Sequence, residues 1–485
     1  MSDVRVRFAP SPTGFLHIGG SRTALLNWLF ARSCGGSFVL RIEDTDRARS
    51  TVDFLNAIVE DLRWLGLEWD EGPEHGGAYG PYLQSERSGT YVPHAQRLLE
   101  TGRAYRCFCS PEELESRRSK AQETEGGWAY DRRCLELSDA ERSSLVSEGR
   151  PSVIRFRVPD GETVFDDLVL GTIRVDNSQL DDLVIVRQDG TPTYNFAAVV
   201  DDLEMAITHV IRGADHISNT PRQILIWEAL GHAPPRFGHQ PLVLAPDGQV
   251  MSKRRGAVAI GEYRRRGYVP EAVVNYMALL GWSYGDDREF FSLDELLSKF
   301  DIGRVSRKPA SFDPDKLDWM NEQWIKKLSV PDRTDRLIPF LRTSGLIEDE
   351  PEGEERARLE KIVDLIGDRV KLLSDINDLA GFFLARDIDY DKIAVSKVLA
   401  KPGAGEILAG LHRVISGCPD FRPETLEAAI RSFAEEAGLS LSKVAQPLRV
   451  ALAGRTASPG IFETLSLLGK DLSLARVERA REMAQ

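Results

Sequence analysis

The sequence predicts an α/β domain built on a parallel sheet, interrupted by an insertion and followed by an all-helical C-terminal half. Three observations predict it. The chain opens with the order strand, turn, helix, strand, the beginning of a parallel sheet joined by crossover helices. Residues from about 107 to 190 break that rhythm with a cysteine-bearing segment and β-rich pieces, and parallel α/β character returns from Pro192 to about Leu244. After Asp313, helical periodicity carries the chain to the C-terminus.

Each element has a local reason. Val4 to Phe8 alternate apolar and basic residues, the period of a short strand. Ala-Pro-Ser-Pro-Thr-Gly (9–14) has turn chemistry at almost every position. From Ile18 a helical pattern starts, with Leu25, Leu26, Trp28 and Leu29 supplying one apolar side. Phe38 to Ile42 reads as a second strand, followed by Glu43-Asp44-Thr45-Asp46. Ser152 to Val158 is β-rich, and an acidic, polar connection near 348–356 divides the helical half. There are no internal repeats and no long low-complexity segment.

A length of 485 residues suggests about three domains. Hydrophobic residues at 42% and charged residues at 28% are ordinary for a globular protein with real cores. No apolar run approaches the roughly 20 residues needed to span a bilayer, so no membrane association is expected. Met1-Ser2-Asp3-Val4-Arg5 runs straight into the first strand without a signal-peptide core. Five cysteines without framework spacing point to a reducing cytoplasm. The net charge of −13 argues weakly against nucleic-acid binding. Net charge is a sum, however: Lys253-Arg254-Arg255 and Arg264-Arg265-Arg266 are basic patches, and Glu348-Asp349-Glu350 inflates the negative total. No Gly-x-Gly-x-x-Gly follows the first strand, so a Rossmann dehydrogenase has no support.

His17-Ile18-Gly19-Gly20 stands where the first turn hands over to a helix. A helix N-terminus offers unpaired N–H groups and partial positive charge, which favour phosphate. Glycines there allow close approach of a nucleotide, and a rim histidine can donate to a phosphoryl oxygen as charge builds. Alone, such a histidine is as well read as a helix cap. Farther on, Val250-Met251-Ser252-Lys253-Arg254 follows a Pro-Asp-Gly turn. A basic run of this kind is by itself a solvated face.

Taken together, Arg-Phe-Ala-Pro-Ser-Pro-Thr-Gly-Phe-Leu-His-Ile-Gly-Gly (7–20) resembles the nucleotide-binding signature of class I aminoacyl-tRNA synthetases, and more narrowly of their bacterial glutamyl branch. A glutaminyl enzyme would be expected to carry His at position 20. Residues 250–254 are similar to the family's second signature, except that the family usually begins it with Lys where this chain has Val250. That departure weakens a nucleotide contact without abolishing chemistry. The resemblance implies a Rossmann-type catalytic domain that binds ATP through His17, Gly19, Gly20, His216, Ser252, Lys253 and Arg254. His17 and Lys253 would be catalytic, stabilising phosphoryl charge as preorganised donors do.

Glutamate and glutamine are nearly isosteric, so charge must separate them, and a guanidinium fork suits a carboxylate and not an amide. The resemblance implies two such arginines, Arg7 and Arg212. It also implies Glu43 at the substrate ammonium, and Ala9, Ser11 and Tyr194 as further pocket positions. A contact that some members make through Asn is absent here, where the residue is Ala198. Without the resemblance, Arg7 reads as a strand-edge charge, Glu43 as an acid at a helix N-terminus and Tyr194 as a buried tyrosine with a satisfied hydroxyl.

Cys107-x-Cys109 and Tyr130-x-x-x-Cys134 lie in the insertion, where close thiolates suggest a metal more than a disulfide. Several glutamyl enzymes bind zinc here through three cysteines and a fourth ligand, either Tyr130 or the place two residues after the last cysteine, here Glu136. The other reading is a relict pair with a spare thiol.

The insertion also resembles the acceptor-stem-binding insertion of the family. Leu317-Asp318-Trp319-Met320-Asn321 resembles the segment leading into the anticodon domain, and Val444 to Arg449 and Ser458 to Phe462 are family-like. An all-helical C-terminus is unlike the β-barrels of glutaminyl enzymes. Arg369 aligns with an arginine that reads the last anticodon base, a strong readout device; as a plain residue it is a solvated helix arginine. The domains expected are 1–106 and 191–245 for the two catalytic halves, 107–190 for the insertion, 246–325 for the lysine-loop and stem-contact domain, and 326–485 for two anticodon-binding subdomains. The resemblance thus implies a monomer acting on L-glutamate, ATP with Mg²⁺ and tRNA(Glu), with one structural Zn²⁺ and with tRNA needed before activation. The alternatives are an enzyme that also charges tRNA(Gln) and a paralogue that binds tRNA without charging it.

Overall fold

The computed structural model describes residues 4–46, 49–122, 130–251 and 258–484. It comprises two compact units, one of Met1–Glu262 with Val273–Asp313 and one of Tyr263–Ala272 with Pro314–Gln485. No helix among the described residues is long and apolar enough to cross a membrane.

In the first unit, β1 (Arg5–Phe8) and β2 (Ser37–Leu40) pair in parallel, Arg5 opposite Ser37 through Phe8 opposite Leu40. β2 ends at Leu40, short of the expected Ile42. The Ile42 N–H instead donates to Tyr82 O, and its carbonyl accepts from the Gln84 N–H, both at 2.9 Å. The connecting helix, Ile18–Ser33, is buried around its whole circumference, including Arg22 and Asn27, and not on one apolar side only. It packs on β1, β2 and the strand His209–Gly213 and also against the helix Leu293–Lys299, so no face is left for water.

Next along the chain come β3 (Ala104–Cys107), β4 (Val153–Phe156), β5 (Glu162–Asp167), β6 (Gly171–Asp176), β7 (Val184–Val186), β8 (His209–Gly213) and β9 (Arg236–Gln240). β3, β4 and β7 form an antiparallel sheet. The other sheet has the order β6-β5-β9-β8, with β8 and β9 parallel. β5, from within residues 107–190, joins β9 at Asp167 opposite Phe237. The Thr208 N–H donates to Arg5 O at 2.9 Å and brings the starts of β1 and β8 together. The carboxyl ends of β1, β2, β8 and β9 therefore face one side, where ligands of open parallel sheets bind.

After β9, a short parallel pair, β10 (Val243–Leu244) with β11 (Ala310–Ser311), precedes a tight turn. The Ala245 N–H donates to Gln249 O at 2.8 Å, with Gly248 at a φ of +77° that suits glycine. That turn returns Val250 beside Leu244.

Among its described residues the second unit is all helix. Its core is aliphatic, with Leu337, Leu341, Ile362, Leu408, Leu411, Leu448 and Leu465 fully buried. Cations are buried there too, Arg333 and Arg476. Arg476 donates to Phe382 O at 2.7 Å, Leu452 O at 2.8 Å and Ala385 O, carbonyls at the ends of the helices Ile376–Leu384 and Leu441–Ala453. Helix C-termini favour positive charge, while burial pushes the Arg476 pKa down.

Candidate active site

A cavity of about 400 Å³ opens at the carboxyl ends of the parallel strands. Arg7 and Ala9 reach it from β1 and the turn after it, and Glu43 from the segment after β2. Arg212 reaches it from the end of β8, and Tyr194 from the first turn of the helix Tyr194–Glu204. His17, Gly19, Gly20 and His216 line it too, as do Val250 and Met251. Nine residues proposed from the sequence thus share one space.

Their plain readings differ from what is found. Arg7 is 5% exposed and donates through Nε to Asp202 Oδ1 at 3.1 Å, so it is no strand-edge charge. Glu43 precedes no helix; the next one, Val52–Trp64, is capped by Thr51. Tyr194 is 39% exposed, and its hydroxyl meets His216 Nδ1 at 3.2 Å.

A buried ion network holds these groups. Arg41, fully buried, donates to Asp202 at 2.6 Å and to Glu43 at 3.2 Å. Asp202 thus receives both Arg41 and Arg7. Burial opposes its charge, but the two guanidinium groups outweigh burial and hold its carboxyl below the usual range. Burial pushes Glu43 the other way, above the usual carboxylate range, although Arg41 and Arg7 pull against it. Four guanidinium groups, Arg7, Arg22, Arg41 and Arg212, stand against three carboxylates, Glu43, Asp202 and Asp215, which leaves one positive charge for an anionic ligand.

On the nucleotide side, His17 is the N-cap of the helix Ile18–Ser33, and its Nδ1 accepts from the Gly20 N–H at 3.4 Å. An accepting Nδ1 puts the neutral ring's proton on Nε2. Ser252, Lys253 and Arg254 lie outside the described residues. Val250, where the family has Lys, is 48% exposed and borders the cavity. Sequence reasoning missed Arg22, Thr23 and Gln240, which also line it. Arg22 donates to Pro241 O at 2.7 Å, and burial lowers its pKa to about 10. The available signal was a polar pair in the first turns of an otherwise apolar helix.

Some proposed residues lie apart from the cavity. Ser11 is exposed and does not line it. Ala198 is buried in its helix. In the second unit, Arg369 is exposed and donates to Leu365 O at 3.3 Å and Ile366 O at 3.4 Å, at the end of the helix Gly353–Ile366.

The three insertion cysteines converge as well. The sulfurs of Cys107, Cys109 and Cys134 lie within 4.8 Å of one another, Cys109 and Cys134 at 3.6 Å. The Tyr130 hydroxyl is 3.1 Å from Cys107 Sγ and 3.6 Å from Cys109 Sγ. Tetrahedral zinc with Zn–S bonds of about 2.3 Å places sulfurs about 3.8 Å apart, so the donor set fits the ion. Glu136 is exposed and outside the cluster, whereas the Tyr130 hydroxyl lies against two of the sulfurs. Arg155 covers the Tyr130 ring at 4.0 Å.

Comparison with known proteins gives consistent results. Residues 3–319 match the family model of tRNA synthetases class I (E and Q), catalytic domain, and residues 332–481 match an anticodon binding domain. A glutamate–tRNA ligase of Geobacter sulfurreducens is 48% identical over 483 residues, covering 99% of each chain. One of Moorella thermoacetica is 46% identical over 482 residues, covering 99% of this chain and 98% of the relative. The crystal structure of a glutamate tRNA ligase from Elizabethkingia meningosepticum, in complex with its amino acid, aligns with a TM-score of 0.89 at 36% identity, covering 100% of both chains.

Proposed function

The chain belongs to the class I tRNA synthetases of the glutamate and glutamine group, and from that membership and its cavity we infer how it joins an amino acid to tRNA. Its activity is that of a glutamate–tRNA ligase, with glutamate, ATP and tRNA as reactants.

The reading of the site is supported above all by one observation: two buried arginines, a carboxylate and a helix-capping histidine open into the same cavity. The side-chain carboxylate of glutamate takes Arg7 and Arg212, and its ammonium takes Glu43. Ala9 and Tyr194 complete the pocket. The α-carboxylate then attacks the α-phosphorus of ATP. A carboxyl–phosphate bond forms, the bond to the β-phosphate oxygen breaks, and pyrophosphate leaves. Negative charge on the phosphoryl oxygens meets His17 Nε2–H, the Gly19 N–H and the cations of Lys253 and Arg254, while Gly20, Ser252 and His216 hold the nucleotide. Mg²⁺ bound with the ATP would supply a further offset of the triphosphate charge beside these residues. The 2′-hydroxyl of the terminal adenosine next attacks the carbonyl carbon and AMP leaves, so the enzyme works by positioning and electrostatics.

Residues 107–190 take the acceptor stem on this reading, and Cys107, Cys109, Cys134 and Tyr130 would hold a zinc ion that braces the insertion. Arg369 reads the last anticodon base. A monomer in the cytoplasm suits five free thiols.

Charging purified tRNA(Glu) and tRNA(Gln) in parallel, with a control omitting tRNA in ATP–pyrophosphate exchange, tests the reading. Charging of tRNA(Glu), and exchange only with tRNA present, is the expected result. Charging of tRNA(Gln) as well would select the broader enzyme, and charging of neither would overturn the reading.

A further inference from the structure

Arg212 is held by a buried chain of groups that nothing in the reaction scheme above uses. Its Nε is 3.2 Å from His239 Nε2, and its terminal NH2 donates to Thr220 Oγ1 at 2.8 Å. Thr220 Oγ1 lies 2.9 Å from the same His239 Nε2. On the far side of the ring, His239 Nδ1 meets Asp167 Oδ2 at 2.6 Å. His239 and Thr220 are fully buried, and Asp167 and Arg212 are each 5% exposed.

The tautomer follows from donor and acceptor counts. Asp167 accepts backbone N–H groups from Val169 and Leu170 at 2.9 Å and from His239 at 3.1 Å, so it acts as a carboxylate acceptor. The ring must therefore carry its proton on Nδ1 to face Oδ2. That leaves a lone pair on Nε2, and a guanidinium, which can only donate, needs such a lone pair. With the opposite tautomer, an Nε2–H would confront the Arg212 Nε–H. A carboxylate behind a histidine fixes tautomer and ring orientation in the same way at metal sites.

We propose that Asp167 and His239 are positioning residues for substrate selection: they lock the ring so that its lone pair aims the Arg212 fork at the side-chain carboxylate of the amino acid. This rests on the assignment of Arg212 to that carboxylate. The three strands carrying the chain, β5, β9 and β8, are neighbours in one sheet. The fork's direction is therefore set by strand register and not by a mobile loop.

Asp167→Asn tests it. Asn keeps a carbonyl oxygen for the backbone N–H groups, but it can turn an NH₂ toward His239 Nδ1. The ring then accepts at Nδ1 and moves its proton to Nε2, opposing Arg212. The KM for glutamate should rise about 10- to 100-fold, the range for losing such an outer partner. The KM for ATP should stay within about twofold, and preference for glutamate over glutamine should shrink. His239→Met removes the acceptor and should do the same. His239→Gln restores an oxygen near the Nε2 position and should recover most of the loss, a rescue that a merely structural histidine would not give. Imidazole ¹⁵N spectra should report an Nδ1–H ring in the parent protein and an Nε2–H ring in Asp167→Asn.

Arg212→Lys separates this proposal from the reading beneath it. If Arg212→Lys leaves the glutamate KM unchanged, the assignment of Arg212 fails. If Arg212→Lys raises it while Asp167→Asn and His239→Met, folded by thermal melting, do not, the positioning role fails. Should both melt early, the ¹⁵N tautomer of the parent protein decides, and an Nε2–H ring there overturns the proposal.

Discussion

Replacing Arg7 with Met removes one of the four guanidinium groups around the cavity while keeping a chain of similar length. The remaining charges, Arg22, Arg41 and Arg212 against Glu43, Asp202 and Asp215, then balance without ligand. A glutamate side chain would enter as an uncompensated anion. Truncating one partner of a buried, hydrogen-bonded charge pair costs about 2–5 kcal/mol. Here the lower end applies, because Asp202 keeps Arg41 at 2.6 Å and is not orphaned. About 2–3 kcal/mol corresponds to roughly 30- to 150-fold in kcat/KM for glutamate. Glutamine, being neutral, should lose far less, so discrimination narrows by a similar factor. The assay is steady-state aminoacylation with glutamate varied at saturating ATP and tRNA, repeated with glutamine. An unchanged glutamate KM, or an equal loss in the KM for ATP, would refute the charge argument.

The signature's departure at Val250 is reversible: Val250→Lys has room at the exposed cavity edge and should lower the KM for ATP severalfold with little change in kcat. Lys253→Ala should cut adenylate formation by about 100- to 1000-fold, the loss typical of one well-aimed donor, read by single-turnover quench. If the insertion binds zinc, metal analysis should find one equivalent, with Cys109→Ser losing it and Glu136→Ala keeping it. Arg476→Met should lower the denaturation midpoint of the helical unit, since three carbonyls lose a buried charged donor, each bond worth about 1.5–3 kcal/mol. An unchanged urea midpoint would count against that account.

The inner lining of the cavity was legible in the sequence because its signatures are contiguous. Residues 7–20 carry their own turn, cap and glycines, and Arg212 sits at a strand end. The supporting layer was not legible. Arg7 meets Asp202 across 195 positions, Arg41 meets it across 161, and Asp167 meets His239 across 72, distances that no local period encodes. Alternation in β1 suggested one solvent-facing side. In fact Arg5 pairs with Glu71 at 2.8 Å while Arg7 points inward to Asp202, so both faces are covered. Nor could spacing tell that Tyr130 lies against the sulfurs while Glu136 is exposed, because the contact depends on how the insertion folds.

Asp201 and Asp202 are adjacent on the helix Tyr194–Glu204, yet they serve different neighbourhoods. Asp201 anchors Gln84, Arg87 and Tyr91, while Asp202 anchors Arg7 and Arg41. Turning that helix by a fraction of a revolution would break both sets of ionic bonds at once. Tyr194, at its other end, is thereby denied independent motion. The bonds that orient the amino-acid receptacle are in place without substrate. On the proposed tRNA-dependent activation, the change is expected on the nucleotide side of the chamber, since turning this helix would cost both sets of bonds.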